Sequence, residues 1–71
     1  MVRTAVSSTS LQSVGYDEAK QILEVEFQRG TVYQYFEVPP QVYQELMASD
    51  SHGAYFANNV KKAGYSYQPV G

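Results

Sequence analysis

ILEVEFQRGTVYQYFEVPP, residues 22–40, is the stretch that decides the fold. Leu23, Val25 and Phe27 alternate with Glu24 and Glu26, the period of a strand with one buried and one wet face. Gln28-Arg29-Gly30-Thr31 follows as a tight hairpin, in which Gly30 can take the positive φ that a G1 bulge or primed turn needs. The returning strand is expected over residues 31–38, with Val32, Gln34, Phe36 and Val38 on one face and Tyr33, Tyr35 and Glu37 on the other. Both faces carry large apolar surface, so one must be core and the other partly wet. Val38-Pro39-Pro40 closes the strand, because proline cannot donate to the ladder and is favoured in a first helical turn.

Downstream, Val42, Leu46 and Met47 recur at helical spacing and predict a short helix over residues 40–48. A second helix is expected after Ser49-Asp50-Ser51, burying Phe56 and Val60, with Lys61 and Lys62 at its negative end and Gly64 as its stop. The tail Tyr65-Ser66-Tyr67-Gln68-Pro69 alternates and reads as a last strand that Pro69 breaks. Upstream, residues 11–16 read as a strand with Gly15 close to another backbone, and Asp17-Glu18-Ala19-Lys20 as a turn. Together these predict one α+β domain over residues 1–71: an antiparallel meander of three or four strands, two short helices on one face, and a C-terminal strand returning to the sheet.

A chain of 71 residues has a small core, so its ten aromatic rings must supply much of the apolar burial. The absence of cysteine excludes a disulfide framework and thiolate metal sites, and a single histidine leaves little for a transition metal. No apolar run has the length of a signal peptide or a membrane span, so a cytoplasmic monomer with no membrane association is expected. Net charge is −2 and the cations are scattered, with only Lys61-Lys62 adjacent. That balance disfavours strong non-specific nucleic-acid binding while leaving room for a local site.

Beyond these patterns, an ordered set of residues resembles the KTSC domain, a family named for its occurrence C-terminal to some lysyl-tRNA synthetases and also found as small stand-alone proteins. The set runs Val6-Ser7-Ser8, Gly15-Tyr16-Asp17, Leu23-Glu24-Val25-Glu26-Phe27, Gly30, Tyr33, Tyr35 and Val38-Pro39. It continues with Ala48, Ser51-x-Gly53, Phe56, Asn59-Val60-Lys61 and Tyr65-x-Tyr67. Ala57 departs from the pattern, since similar members often carry Asn directly after the Phe. The resemblance implies a part in RNA metabolism or tRNA charging, by association with the fused enzyme and without any defined activity. Tyr16 enters the candidate site through this resemblance.

The residues themselves nominate the rest. Tyr33, Tyr35 and Tyr67 belong to Tyr-x-Tyr pairs whose rings share a sheet face, either as core or as a platform for stacking. Ser7 and Ser8 offer hydroxyls to a ligand or to strand-end backbone. Ser51 and Gly53 flank His52 at a helix start, a plain cap or an anion site, while Asn59 and Lys61 adjoin on the second helix and can reach a phosphate or base edge. A Ser51–His52 hydrolase lacks a legible acid partner, and Glu24 with Glu26 reads as a wet strand face, so neither a catalytic group nor a metal or cofactor is expected. The leading expectation is a non-catalytic binding module for RNA or a tRNA-charging complex. The alternatives are a protein-interaction domain docking through an aromatic patch or edge strand, and, more remotely, a small hydrolase or nuclease. Which face of the sheet bears Glu24 and Glu26 relative to the tyrosines is decisive, because carboxylates beside the rings would repel phosphate.

Overall fold

The computed structural model describes residues 1–70. Five antiparallel strands follow one another in the order of the chain: β1 (Arg3–Ala5), β2 (Leu11–Asp17), β3 (Ile22–Phe27), β4 (Val32–Tyr35) and β5 (Tyr67–Val70). Helices α1 (Pro40–Ala48) and α2 (His52–Phe56) lie between β4 and β5, and α2 runs on into a π-helical turn at Ala57–Lys61. The α+β meander with a returning C-terminal strand is therefore the observed architecture. β1 is additional. It has only three residues, too few to alternate legibly, and it is held by pairing Arg3 to Gly15 and Ala5 to Ser13.

The hairpin forms as its sequence implies. Gly30 has φ +93°, its N–H donates to the Phe27 carbonyl at 2.8 Å, and the Phe27 N–H donates to the Thr31 carbonyl at 2.9 Å. Gly15 is also where a side chain has no room, since a β-carbon there would stand 2.8 Å from the Val2 carbonyl oxygen. β4, however, stops at Tyr35 rather than Val38. Glu37 takes a left-handed φ of +58°, which breaks the alternation and turns Val38 into the core, where it is fully buried. The Val38 N–H donates to the Gln21 carbonyl at 2.9 Å instead of continuing the β4 ladder. The expected facing of Val38 is corrected accordingly. Pro69 likewise does not break β5, because the strand lies at the sheet edge, where proline is tolerated.

One face of the sheet builds the core. Leu11, Val14, Leu23, Val25 and Tyr35 meet Val38, Leu46, Phe56 and Val60, all buried. Pro40 opens α1 and Ser49 ends it in extended conformation, so its single buried side chain, Leu46, is flanked by half-buried Val42, Tyr43 and Met47. The π-helical turn carries an Ala57 carbonyl to Lys62 N–H bond of 3.3 Å, five residues apart. It leaves Val60 inside and Lys61 exposed.

Candidate functional site

Register places the tyrosines. Across the sheet Leu23 pairs with Tyr35 and Tyr35 with Tyr67, while Val25 pairs with Tyr33 and Tyr33 with Pro69. Period two does the rest, setting Tyr33, Tyr35 and Tyr67 on the core-forming face with Phe27. The ring centroids are 6.5 Å apart for Tyr33 and Tyr35, 5.4 Å for Tyr35 and Tyr67, and 5.8 Å for Tyr33 and Tyr67, with interplanar angles of 26° to 38°. The phenols thus form a tilted, nearly co-facing trio. Phe56 meets Tyr35 and Phe27 edge to face at 5.5 Å, and Phe27 meets Tyr33 the same way at 5.8 Å, the favourable geometry for ring quadrupoles.

Exposure grades across the trio. Tyr35 is buried, Tyr33 half-buried and Tyr67 61% exposed, because β5 is an edge strand of the sheet. The rings line an open cleft of about 660 Å³, bounded also by Phe56, Gly53 and Ala57 on the α2 side, Thr9 and Ser10 on the β1–β2 loop, and Gln28, Arg29 and Thr31 on the hairpin. Lys61 closes the circuit. Among the described residues, two cations and no carboxylate side chain therefore line the cleft. Burial, with Tyr67 and Tyr33 alongside, raises the Tyr35 phenol above its ordinary range.

The carboxylates are on the opposite face of the sheet. Arg3 reaches Glu24 at 2.9 Å and Glu26 at 3.7 Å, the Ser13 hydroxyl donates to Glu26 at 2.9 Å, and the Gln34 amide donates to Glu24 at 2.9 Å. This paired, hydrogen-bonded set faces away from the rings, with the sheet between it and the cleft.

Of the residues nominated from sequence, Tyr33, Tyr35, Gly53, Lys61 and Tyr67 come together in the cleft, and the others stand outside its lining. Ser8 organises backbone: its hydroxyl accepts from the Ser10 and Leu11 N–H groups, both at 3.2 Å. Ser7 is exposed beside it. Ser51 caps α2 by accepting from the Ala54 N–H at 3.3 Å, and the Asn59 amide donates to the Tyr55 carbonyl within its own helix at 3.1 Å. Tyr16 stacks on Tyr43 of α1, centroids 5.0 Å apart, and donates its hydroxyl to the Val38 carbonyl. At Gly53 the close neighbour is the chain itself: a β-carbon there would lie 2.5 Å from the Ser10 hydroxyl oxygen. Among the described residues no hydrogen bond joins Ser51 to His52, whose Nδ1 is buried without a partner.

Sequence reasoning missed Thr9, Ser10, Gln28 and Thr31 as lining residues, left Arg29 out of the candidate site and treated Phe56 only as core. Part of the signal was present. Tyr33 and Tyr35 are spaced by two and share a face, but the left-handed Gly30 interrupts the period between Phe27 and Val32, so no alternation rule carries Arg29 to the cleft.

Comparison with known proteins places this geometry in a family. Residues 7–65 match the KTSC domain. An uncharacterized protein of Stutzerimonas stutzeri is 49% identical over 67 residues, covering 94% of each chain. The lysine–tRNA ligase of Nostoc punctiforme is 37% identical over 51 residues, which span 72% of this chain but only 9% of the ligase. The crystal structure of a KTSC domain protein from Yersinia pestis superposes with a TM-score of 0.88 at 35% identity, covering 99% of this chain and 97% of that one. The chain belongs to the KTSC domain family.

Proposed function

We propose that the cleft binds an unpaired segment of RNA without covalent chemistry, in a cytoplasmic setting linked to tRNA charging. The observation that carries this reading is the coincidence of a part-exposed tyrosine trio with Arg29 and Lys61 in one cleft that, among the described residues, is lined by no carboxylate side chain. Tyr67 and the accessible part of Tyr33 supply π-faces for a base, and the two cations meet the phosphates on either side. The occurrence of a similar segment in a lysine–tRNA ligase supports the same class of partner. An unpaired strand is favoured over a duplex because stacking on Tyr67 needs a base free of its partner.

Fluorescence anisotropy with labelled single-stranded RNA and with tRNA tests it. Two phosphate contacts on a single strand predict a slope of about −1.4 for log affinity against log salt. Absence of binding at about 50 mM salt, where electrostatic affinity is strongest, sinks the proposal. A protein partner retained after nuclease treatment and lost in Tyr67→Ala points instead to the interaction-domain alternative. β5 is a short edge strand that includes Pro69, which has no N–H to donate, so strand addition there is the weaker form of that alternative.

A further inference from the structure

The floor of the cleft runs across the strands, from Leu11 on β2 past Phe27 on β3 and Tyr33 and Tyr35 on β4 to Tyr67 on β5. Its two ends differ. At the β5 end lies an edge of the sheet, where Tyr67 is exposed. At the β2 end three segments that are distant in the chain meet. A β-carbon on Gly53 would stand 2.5 Å from the Ser10 hydroxyl oxygen and 3.4 Å from that of Ser8, so α2 rests directly on the β1–β2 loop with no room for a methyl group between them. The same loop is tied to the hairpin: the Gln28 N–H donates to the Ser10 carbonyl at 2.9 Å, and the Gln28 side-chain nitrogen donates to the Ser8 and Leu11 carbonyls, both at 3.0 Å. Ser8 braces the loop from within by accepting from the Ser10 and Leu11 N–H groups.

Hairpin, loop and α2 thus make one continuous wall. A contact that excludes a methyl group excludes a sugar–phosphate chain, and opening it would sacrifice hydrogen bonds that the wall already makes. We infer that the cleft is blind at its β2 end and takes the terminus of an unpaired RNA strand, which enters over Tyr67 and stops at the Ser10–Gly53 contact. A strand without ends could enter only doubled back on itself, which sets two phosphate chains side by side next to just two cations, Arg29 and Lys61. This inference rests on the base-stacking reading of the cleft and adds to it that the bound segment is an end. A 5′ and a 3′ terminus share what the geometry requires, a last nucleotide with no chain beyond it, and the experiment separates them.

The test leaves the protein unaltered and compares an internally labelled linear oligo-uridine with the circle made by ligating its ends, at a length that lets the circle fold back without strain. The circle is expected to bind roughly tenfold more weakly or worse, the loss of about one stacked base. A second arm keeps the linear strand and blocks one terminus at a time with streptavidin on a terminal biotin. Blocking the end that enters should weaken binding by a similar factor, and blocking the other should leave it unchanged, which names the end. Equal affinity for circle and linear strand overturns the inference and leaves base stacking standing. So does a weaker circle combined with indifference to both blocks, since stiffness of the circle then explains the difference. Failure of the unblocked linear strand to bind overturns the stacking reading and this inference together.

Discussion

Tyr16 and Tyr67 stand in one row across the sheet, linked through Leu23 and Tyr35, yet they end in different surroundings. Tyr16 is roofed by α1, its ring stacked at 10° on Tyr43 and its hydroxyl bonded to the Val38 carbonyl. Tyr67 leans on Tyr33 and Tyr35 and turns 61% of its surface to solvent. The difference teaches that a tyrosine on the core-forming face of a small sheet is structural where a helix closes over it and available where the sheet outruns its cover. Both are candidate site residues by sequence, and only the roof separates them.

The largest effect that can break this comparison is expected at Phe56, whose ring props the open end through Tyr35 and Phe27. Phe56→Ala should cost about 3–5 kcal/mol in denaturant unfolding, as removal of a buried aromatic does. A loss below about 1 kcal/mol means the aromatic cluster is not the structural wall inferred for it. At the exposed end, Tyr67→Ala should weaken RNA binding by about 1–3 kcal/mol while stability moves by no more than about 0.5 kcal/mol. If affinity holds, the open end of the row is not the stacking surface.

Tyr16→Phe sharpens the other side. It removes one part-buried hydrogen bond, so unfolding free energy should fall by about 1 kcal/mol with RNA affinity unchanged. A drop in affinity with stability intact reverses the roles assigned to the two ends. The smallest effect is a pH dependence on the helices that form the roof. Burial, and then donation to Glu45 at 2.7 Å, hold the Tyr55 phenol up to about 12. Its neutral form is favoured by folding, so this contribution is intact below the ordinary tyrosine value of 10.0 and is lost as pH rises to about 12. The urea midpoint of the native chain should therefore fall more steeply than that of Tyr55→Phe across this window. Parallel slopes mean that the contact between the two helices is not maintained in solution.

Much of the fold was legible because its signals are local. The alternation of residues 22–28, the Gly30 hairpin, the proline pair and the helical spacing of Val42 and Leu46 each rest on neighbours a few positions apart. β1 was not legible, since three residues carry no period and Arg3 finds its place only by pairing across to Gly15 and reaching Glu24 on β3. Val38 was misplaced for a related reason. The alternation assumed through Glu37 holds only while φ stays negative, and the left-handed turn there answers to the pairing of Val38 with Gln21.

For the site, sequence supplied Tyr33, Tyr35, Tyr67, Gly53 and Lys61, while Arg29, Gln28, Thr9 and Ser10 join them only because the β1–β2 loop, the hairpin and α2 converge at one edge. The amino-acid order by itself determined the strand and helix types, the sharing of a face by Tyr33 and Tyr35, and the family pattern, because these follow from backbone periodicity and residue identity. The tertiary structure alone decided that Glu24 and Glu26 turn away from the rings, that Tyr16 is covered and that Tyr67 is open. Exposure and charge placement are properties of which surfaces meet, and no local pattern fixes how far two short helices extend over a five-stranded sheet.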